Sequence, residues 1–146
     1  MPSIPTDARF GISNRFDVTV DGFHLGGWAR CDGLSVQFKL HDYVPLGHND
    51  YVPVLPDRVV YSKITLIRAI TTEDGAKTMR WLSKMKDAGS GGTAAITLHD
   101  SHRQPVMTWK LRGVYPTAWK GPTFDAKGHE IAVETLEMAH QGFLEE

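Results

Sequence analysis

Four groups of residues in this 146-residue chain are of types that do chemistry elsewhere. His99-Asp100-Ser101-His102 holds side chains used by hydrolases and metal sites. Two histidines three apart in a polar turn give at most two ligands, however, and no third stands nearby in sequence. Cys31 is the sole cysteine. It has no flanking base and no helix N-terminus to lower its pKa, so a small buried residue is expected there rather than a nucleophile. Glu134 and Glu137 form a conceivable carboxylate pair, but three residues apart on a strand they point to opposite faces. Gly89 to Gly92 is the one glycine cluster, without the Gly-Lys-Ser/Thr end of a phosphate loop. No catalytic, cofactor-binding or metal-binding residue is assigned, and no enzyme is expected.

The elements that would position such groups read as mainly β. Phe16, Val18 and Val20 alternate with Asp17 and Thr19, and Asp21-Gly22 follows as a hairpin turn signal. WARC at 28–31 reads as a short strand ending at Asp32-Gly33. From 34 to 41 the alternation is cleanest: Leu34, Val36, Phe38 and Leu40 toward a core, Ser35, Gln37, Lys39 and His41 toward water. Pro45, Pro53 and Pro56 make 45–57 a loop or extended excursion. One strand is expected over 59–70, with Val60, Ile64 and Leu66 on its core side. A helix over about 73–88 is marked by Thr71 and Asp74 at capping spacing, by the stripe Thr78, Trp81, Leu82 and Met85, and by Gly89 as its stop. Strands around 94–98 and 106–111 flank the polar turn 99–104 as a hairpin. The stretch 113–119 is extended and broken by Pro116, and a last strand lies within 129–139. Residues 1–15 read as an N-terminal arm and 16–146 as one domain. The expected fold is an antiparallel β-sandwich or small barrel with one helix.

Composition narrows the function. The chain carries 16 basic and 17 acidic residues, a net of −1 with histidine neutral. That excludes binding of nucleic acid by bulk electrostatics, which needs a basic excess. A single cysteine forms no internal disulfide. The N-terminus lacks the basic and apolar regions of a signal peptide, and apolar runs are too short to span a membrane, so assembly in the cytoplasm is expected.

Two features are odd for a monomer. EIAVETLEMA has apolar side chains on both faces: Ile131 and Val133 on one, Ala132, Leu136 and Met138 on the other. Such a strand is either central in a sheet covered on both sides or part of a subunit interface. The polar face of 34–41 is either a plain solvent face or the wall of a wet channel.

Three stretches carry a family resemblance: WARCDGLSVQF at 28–38, YSKITLIRAITTEDG at 61–75, and VMTWKLRGVYPTAWKGPTFDAKGHEIAVETLEMAHQGF at 106–143. In order and spacing, the chain from Phe16 to Phe143 resembles the tail-tube protein family of contractile phages and of phage-derived injection systems. It departs from the family at Asp57, where glycine often follows Leu-Pro, and at Ala69, where Arg-Gly is favoured. The resemblance implies a small β-sandwich or barrel with an edge helix, six copies in a ring, and rings stacked into a hollow tube. Strands of all six subunits then line the lumen, a contractile sheath surrounds the tube, and baseplate, spike and tube-terminating proteins are partners. Gln37, Lys39, His41, Lys63 and Thr65 become candidate lumen residues. Ile131, Ala132, Val133, Leu136 and Met138 become the candidate inter-subunit strand. The cargo is protein in an injection particle; the alternative is the tail tube of a phage, conducting DNA. A type VI ring protein shares the implied fold but matches these motifs less well, and a monomeric ligand-binding β-barrel is the reading from another class.

Overall fold

A computed structural model of the chain describes residues 9–12, 14–42 and 54–144. Most of the expected arm (1–8) and of the proline-rich excursion (45–53) lies outside these. The fold is mainly antiparallel β with one helix, as the alternation requires. Among the described residues ten strands form: β1 (Phe16–Val20), β2 (Phe23–Gly27), β3 (Arg30–Asp32), β4 (Val36–Asp42), β5 (Val54–Tyr61), β6 (Ile64–Ala69), β7 (Gly92–His99), β8 (Pro105–Lys120), β9 (Val133–Ala139) and β10 (Gly142–Leu144). Helix α1 covers Asp74–Lys86, inside its expected span, and Thr71 Oγ1 accepts the Asp74 N–H at 3.2 Å.

The main sheet runs β2-β1-β7-β8-β9-β6-β3, with β10 also on β8. Its two-residue hairpin turn has positive φ at both Asp21 and Gly22, the geometry an Asp-Gly pair supplies. The Asp21 carboxylate accepts the Thr93 N–H at 2.9 Å and the Trp81 indole N–H at 3.3 Å, which ties α1 to the sheet. Strand β8 is long because Pro116 does not break it. Its first half pairs with β7 and β10, and its second half pairs with β9 across a register shift between Pro116 and Ala118.

Inward positions of these strands build one core. Val18, Val20, Leu25, Ile64, Leu66, Leu111, Val114, Leu136 and Met138 are fully buried, with Trp81 and Met85 of α1 closing it. Each such large side chain removed from water contributes roughly 1.5–3 kcal/mol. The helix stripe therefore packs as expected at Trp81 and Met85, while Leu82 is only half-buried at its margin.

Three local expectations are revised. WARC is not one strand: Trp28 sits between β2 and β3, where its ring stacks on Arg68. The expected strand 59–70 is two strands in different sheets, because the chain leaves one sheet at Tyr61 and enters another at Ile64. The close passage beside that link explains Gly33: its φ is +104°, and a Cβ there would overlap the Lys63 carbonyl. The third revision concerns 34–41. Among the described residues, strand β4 pairs with β5 alone, and its apolar side chains Val36, Phe38 and Leu40 stay exposed.

Candidate functional site

The residues with catalytic chemistry serve the fold. Asp100 is the hub of the β7–β8 turn. Its Oδ1 accepts the His102 and Gln104 N–H groups, each at 2.9 Å, and its Oδ2 accepts Arg9 Nε at 3.0 Å. The Gln104 N–H above all holds this carboxyl below the usual carboxylate range; burial opposes the shift, and Arg9 and His102 assist it. Burial, with Asp32 adding, pushes the Cys31 thiol up to about 11, so it is protonated and unreactive at neutral pH. Among the described residues, no three His, Cys, Asp or Glu side chains gather as a metal site.

Glu134 and Glu137 part as the strand period requires: Glu134 is buried, Glu137 half-exposed. Glu134 Oε1 accepts Arg68 Nε at 2.6 Å and lies 3.3 Å from Thr78 Oγ1. Arg68 also donates to the Leu25 carbonyl, to Thr78 Oγ1 at 2.6 Å and to the Asp74 carbonyl at 2.7 Å, and lies 3.9 Å from the Trp28 ring centre. One guanidinium thus joins β2, β6, β9 and α1, and draws the two ends of the main sheet together. No element pair could be held this way by an apolar side chain, since each contact is a directed donor. This network was missed in the sequence, although both charges occupy inward positions of alternating strands, Ile64-Leu66-Arg68 and Glu134-Leu136-Met138.

The surface left over is the ribbon of β4 and β5. In register, Val36 faces Tyr61, Gln37 faces Val60, Phe38 faces Val59 and Lys39 faces Arg58, with a bulge at Asp57 that shifts the pairing to Leu40 with Pro56. Side chains directly opposite share a face. One face is apolar and open to water: Phe38 is 69 % exposed and Leu40 61 %, with Val36 and Val59 also exposed. The other face carries Gln37, Lys39 and His41, all exposed, and Arg58, which the sequence reading did not single out, with the apolar Val60 opposite Gln37 and Leu55 opposite His41. Lys39 and Arg58 stand opposite each other with no carboxylate partner among the described residues. Of the five candidate lumen residues, the ribbon therefore unites three. Lys63 is exposed in the link to the main sheet, and Thr65 lies on β6 between Asp32 and Glu137.

The candidate inter-subunit strand divides as well. Strand β9 is central, paired with β8 and β6, so neither of its edges is open. Leu136 and Met138 are fully buried in this chain's own core and have no surface to offer a neighbour; their assignment to an interface is corrected. Ile131 is 76 % exposed, and Ala132 and Val133 are exposed too.

At the root of the ribbon, Tyr61 packs on His140 and Phe143, with ring centroids 5.2 and 5.6 Å away. The Gly142 N–H donates to His140 Nδ1 at 3.2 Å, so the neutral ring keeps its proton on Nε2. Burial lowers the His140 pKa from its ordinary 6.5. A lowered folded pKa gives stability that is present above the unfolded value and lost as pH falls through the folded one. Thermal melts between about pH 7.5 and 5.5 should thus show falling stability, and His140→Phe should flatten that slope. An unchanged slope in the variant would assign the dependence to other groups. Asp100, held below the usual carboxylate range, does not enter this window.

No curated protein matches the chain in sequence. Among solved structures, a chain from an extracellular contractile injection system, a PVC sheath–tube complex in the extended state, is similar. It has a TM-score of 0.77 at 20 % identity, over 97 % of both chains. A chain from the anti-feeding prophage baseplate is similar at a TM-score of 0.75 and 21 % identity, over 97 % of this chain and 96 % of that one. A type six secretion system protein is more distant, with a TM-score of 0.51 and 10 % identity over 86 % and 78 %. These likenesses, all at 21 % identity or less, concern the fold alone. The family described as T4-like virus tail tube protein gp19 matches residues 12–144, which takes in the sheet, the helix and the ribbon alike, and the chain belongs to that tail-tube family.

Proposed function

We propose that this chain is the structural inner tube of a contractile injection particle, without enzymatic activity. Six copies close a ring, rings stack into a hollow tube, and a sheath around the tube drives it through a target envelope. The observation that carries this reading is the ribbon. Among the described residues it is a two-stranded sheet that pairs with no other strand, apolar on one side and carrying Gln37, Lys39, His41 and Arg58 on the other. An isolated two-stranded ribbon is marginal in water, and its open edges invite pairing. Closing a ring supplies both missing edges and covers the apolar face. The similar folds come from a sheath–tube complex, a baseplate and a tube-terminating cap, which supports sheath, baseplate or spike, and terminator proteins as partners. Assembly in the cytoplasm, an N-terminal arm over 1–15 and a single domain over 16–146 belong to this reading. Within the arm, Ile12 N–H donates to the His99 carbonyl at 2.9 Å, the Arg15 carbonyl accepts the His99 N–H at 2.8 Å, and Arg9 Nε donates to Asp100 at 3.0 Å. The second reading, a phage tail tube conducting DNA, is favoured by the viral description of the family.

Electron microscopy with light scattering tests assembly: rings or tubes are expected, and a folded monomer at tens of micromolar would overturn the reading. The lumen face is tested separately. Gln37, Lys39 and His41 oppose the apolar face, so they line the bore if that face meets a neighbour; Lys63 and Thr65 extend the wall. Unpaired Lys39 and Arg58 suit an acidic cargo, because like charges opposite each other are destabilising alone. In tubes of Gln37→Cys or Lys39→Cys chains carrying Cys31→Ser, a small maleimide should label and one wider than the bore should not. Equal labelling by both would put this face outside the tube.

A further inference from the structure

Resting on the tube reading, we infer that the open edge of β8 beside α1 is a docking groove for strand β4 of a second copy, which adds to the sheet as an antiparallel strand. Strand β9 pairs Ala139 with Tyr115, and β10 pairs Gly142 with Arg112 in the same register, so both lie along one edge of β8. Residues 110–112 of β8 also pair with β7, which therefore holds the other edge and ends opposite Val114. From Tyr115 to Lys120, that second edge carries no strand among the described residues. A groove of about 260 Å³ runs along it, lined by Leu82, Met85 and Lys86 of α1 and by five consecutive residues of β8, 115–119. Successive strand residues point to opposite faces, so a groove that touches five in a row follows the backbone edge. Unpaired strand backbone beside an apolar wall is where an extended segment adds to a sheet.

A matching edge stands at the other end of the same sheet. Asp32 faces Thr65 in the β3–β6 pair, and Val36 faces Tyr61 in the ribbon, with three residues on each side between them. Ser35 Oγ donates to Ser62 Oγ at 2.7 Å across this joint. The ribbon thus prolongs the β3–β6 pair, and β3 and β4 share one outer edge that is open among the described residues. In the order β8-β9-β6-β3, that edge and the open edge of β8 look in opposite directions. Every pairing in the row is antiparallel, so β4 runs against β8, and copies set side by side pair antiparallel.

The faces match as well. Phe143 pairs with the core residue Leu111, and Tyr61 packs edge-on against Phe143, so Val36, Phe38 and Leu40 continue the core side of the sheet. In a copy set alongside, these exposed side chains come under α1, against Leu82 and Trp119, which pairs with the buried Leu136. Lys39 then lies on the outward side, with Ala118, which pairs with the half-exposed Glu137. The chain's own β4 does not serve, because the two edges bound four strands, too few to close on each other around a filled core. Each copy therefore offers one edge and accepts another, a heterologous contact that propagates round a ring instead of ending at a dimer.

Hydrogen exchange on the wild-type chain reads the contact directly. Amides of 115–120 should exchange at least about tenfold more slowly in rings or tubes than in the monomer. Thr117→Trp, at an exposed position in the groove, should melt as the wild-type chain does yet raise the concentration needed for assembly at least about tenfold. In a Cys31→Ser background, Lys39→Cys combined with Ala118→Cys should give a ladder of covalent multimers with a short bis-maleimide. The two single variants mixed should give dimers and nothing larger, and each alone should give neither. Wild-type tubes with 115–120 unprotected, and no ladder from the pair, overturn the contact and leave the tube standing. Assembly of Thr117→Trp at the wild-type concentration overturns it too, as does a cross-link closed within one chain. Protection of 115–120 that arises only when sheath protein is added likewise overturns it, assigning the groove to the sheath. A wild-type chain that stays monomeric overturns the tube and the contact together.

Discussion

Replacing Arg68 by alanine should cost the fold about 3–5 kcal/mol, a large share of the 5–15 kcal/mol typical of a domain. The guanidinium is 3 % exposed and its partner Glu134 1 %. Removing it strands a carboxylate with no solvent to take its place, and leaves Thr78 Oγ1 and the Leu25 carbonyl without a donor they now use. The loss also releases the bond to the Asp74 carbonyl, which holds the first turn of α1 onto β6. Glu134→Ala should cost a comparable amount, because it leaves the buried cation uncompensated. Glu134→Gln should cost less, since the amide oxygen keeps an acceptor in place. The double change Arg68→Met with Glu134→Leu should recover much of the single losses, as apolar residues of similar volume often replace a buried ion pair at little net cost. A double-mutant cycle by urea melts measures the coupling directly. Single-variant losses below about 1 kcal/mol would mean that water reaches the pair and that the sheet ends are held by other contacts.

That network also marks where the sequence stopped being legible. Period-two alternation located most strands, and it placed Ile64, Leu66, Leu136 and Met138 on inward faces, because burial of a strand face depends on a pattern a few residues long. The Arg68–Glu134 pairing depends on two strands 66 residues apart in sequence becoming neighbours, which no local pattern encodes. Its trace was still present, as one charge of each sign at an inward position. The split of the 59–70 segment was hidden for a similar reason: Ser62 and Lys63 carry no Gly or Pro to mark the break, and the close approach of Gly33 to the Lys63 backbone joins residues 30 apart in sequence. Leu136 and Met138 were referred to a neighbour because their strand is apolar on both faces, and a central strand produces the same pattern. For the candidate site, the sequence showed which residues of β4 share a face, but not that the apolar face would stay exposed among the described residues.

That uncovered face carries the second large effect. Phe38→Asp should leave the monomer nearly as stable as the wild-type chain, within about 0.5 kcal/mol, because the side chain is 69 % exposed and touches no core cluster. The same change should abolish rings and tubes. In the ring, the apolar face of β4 and β5 must be covered by the adjacent subunit, and a carboxylate there would be desolvated without a partner, at a cost of several kcal/mol. Six equivalent interfaces multiply that cost around a closed ring, so partial assembly gains nothing. Leu40→Asp should act alike, as Leu40 projects from the same face. Phe38→Leu should still assemble, because volume and apolarity are nearly kept. On the opposite face, Lys39→Gln should assemble as the wild-type chain does, since a hydrated wall has no neighbour to satisfy. The set separates interface from lumen by light scattering and electron microscopy on folded protein. Tubes from Phe38→Asp at the wild-type concentration would place the ribbon's apolar face away from every subunit contact and remove the basis for the ring. Loss of assembly from Lys39→Gln instead would exchange the roles of the two faces, with the apolar side toward the bore.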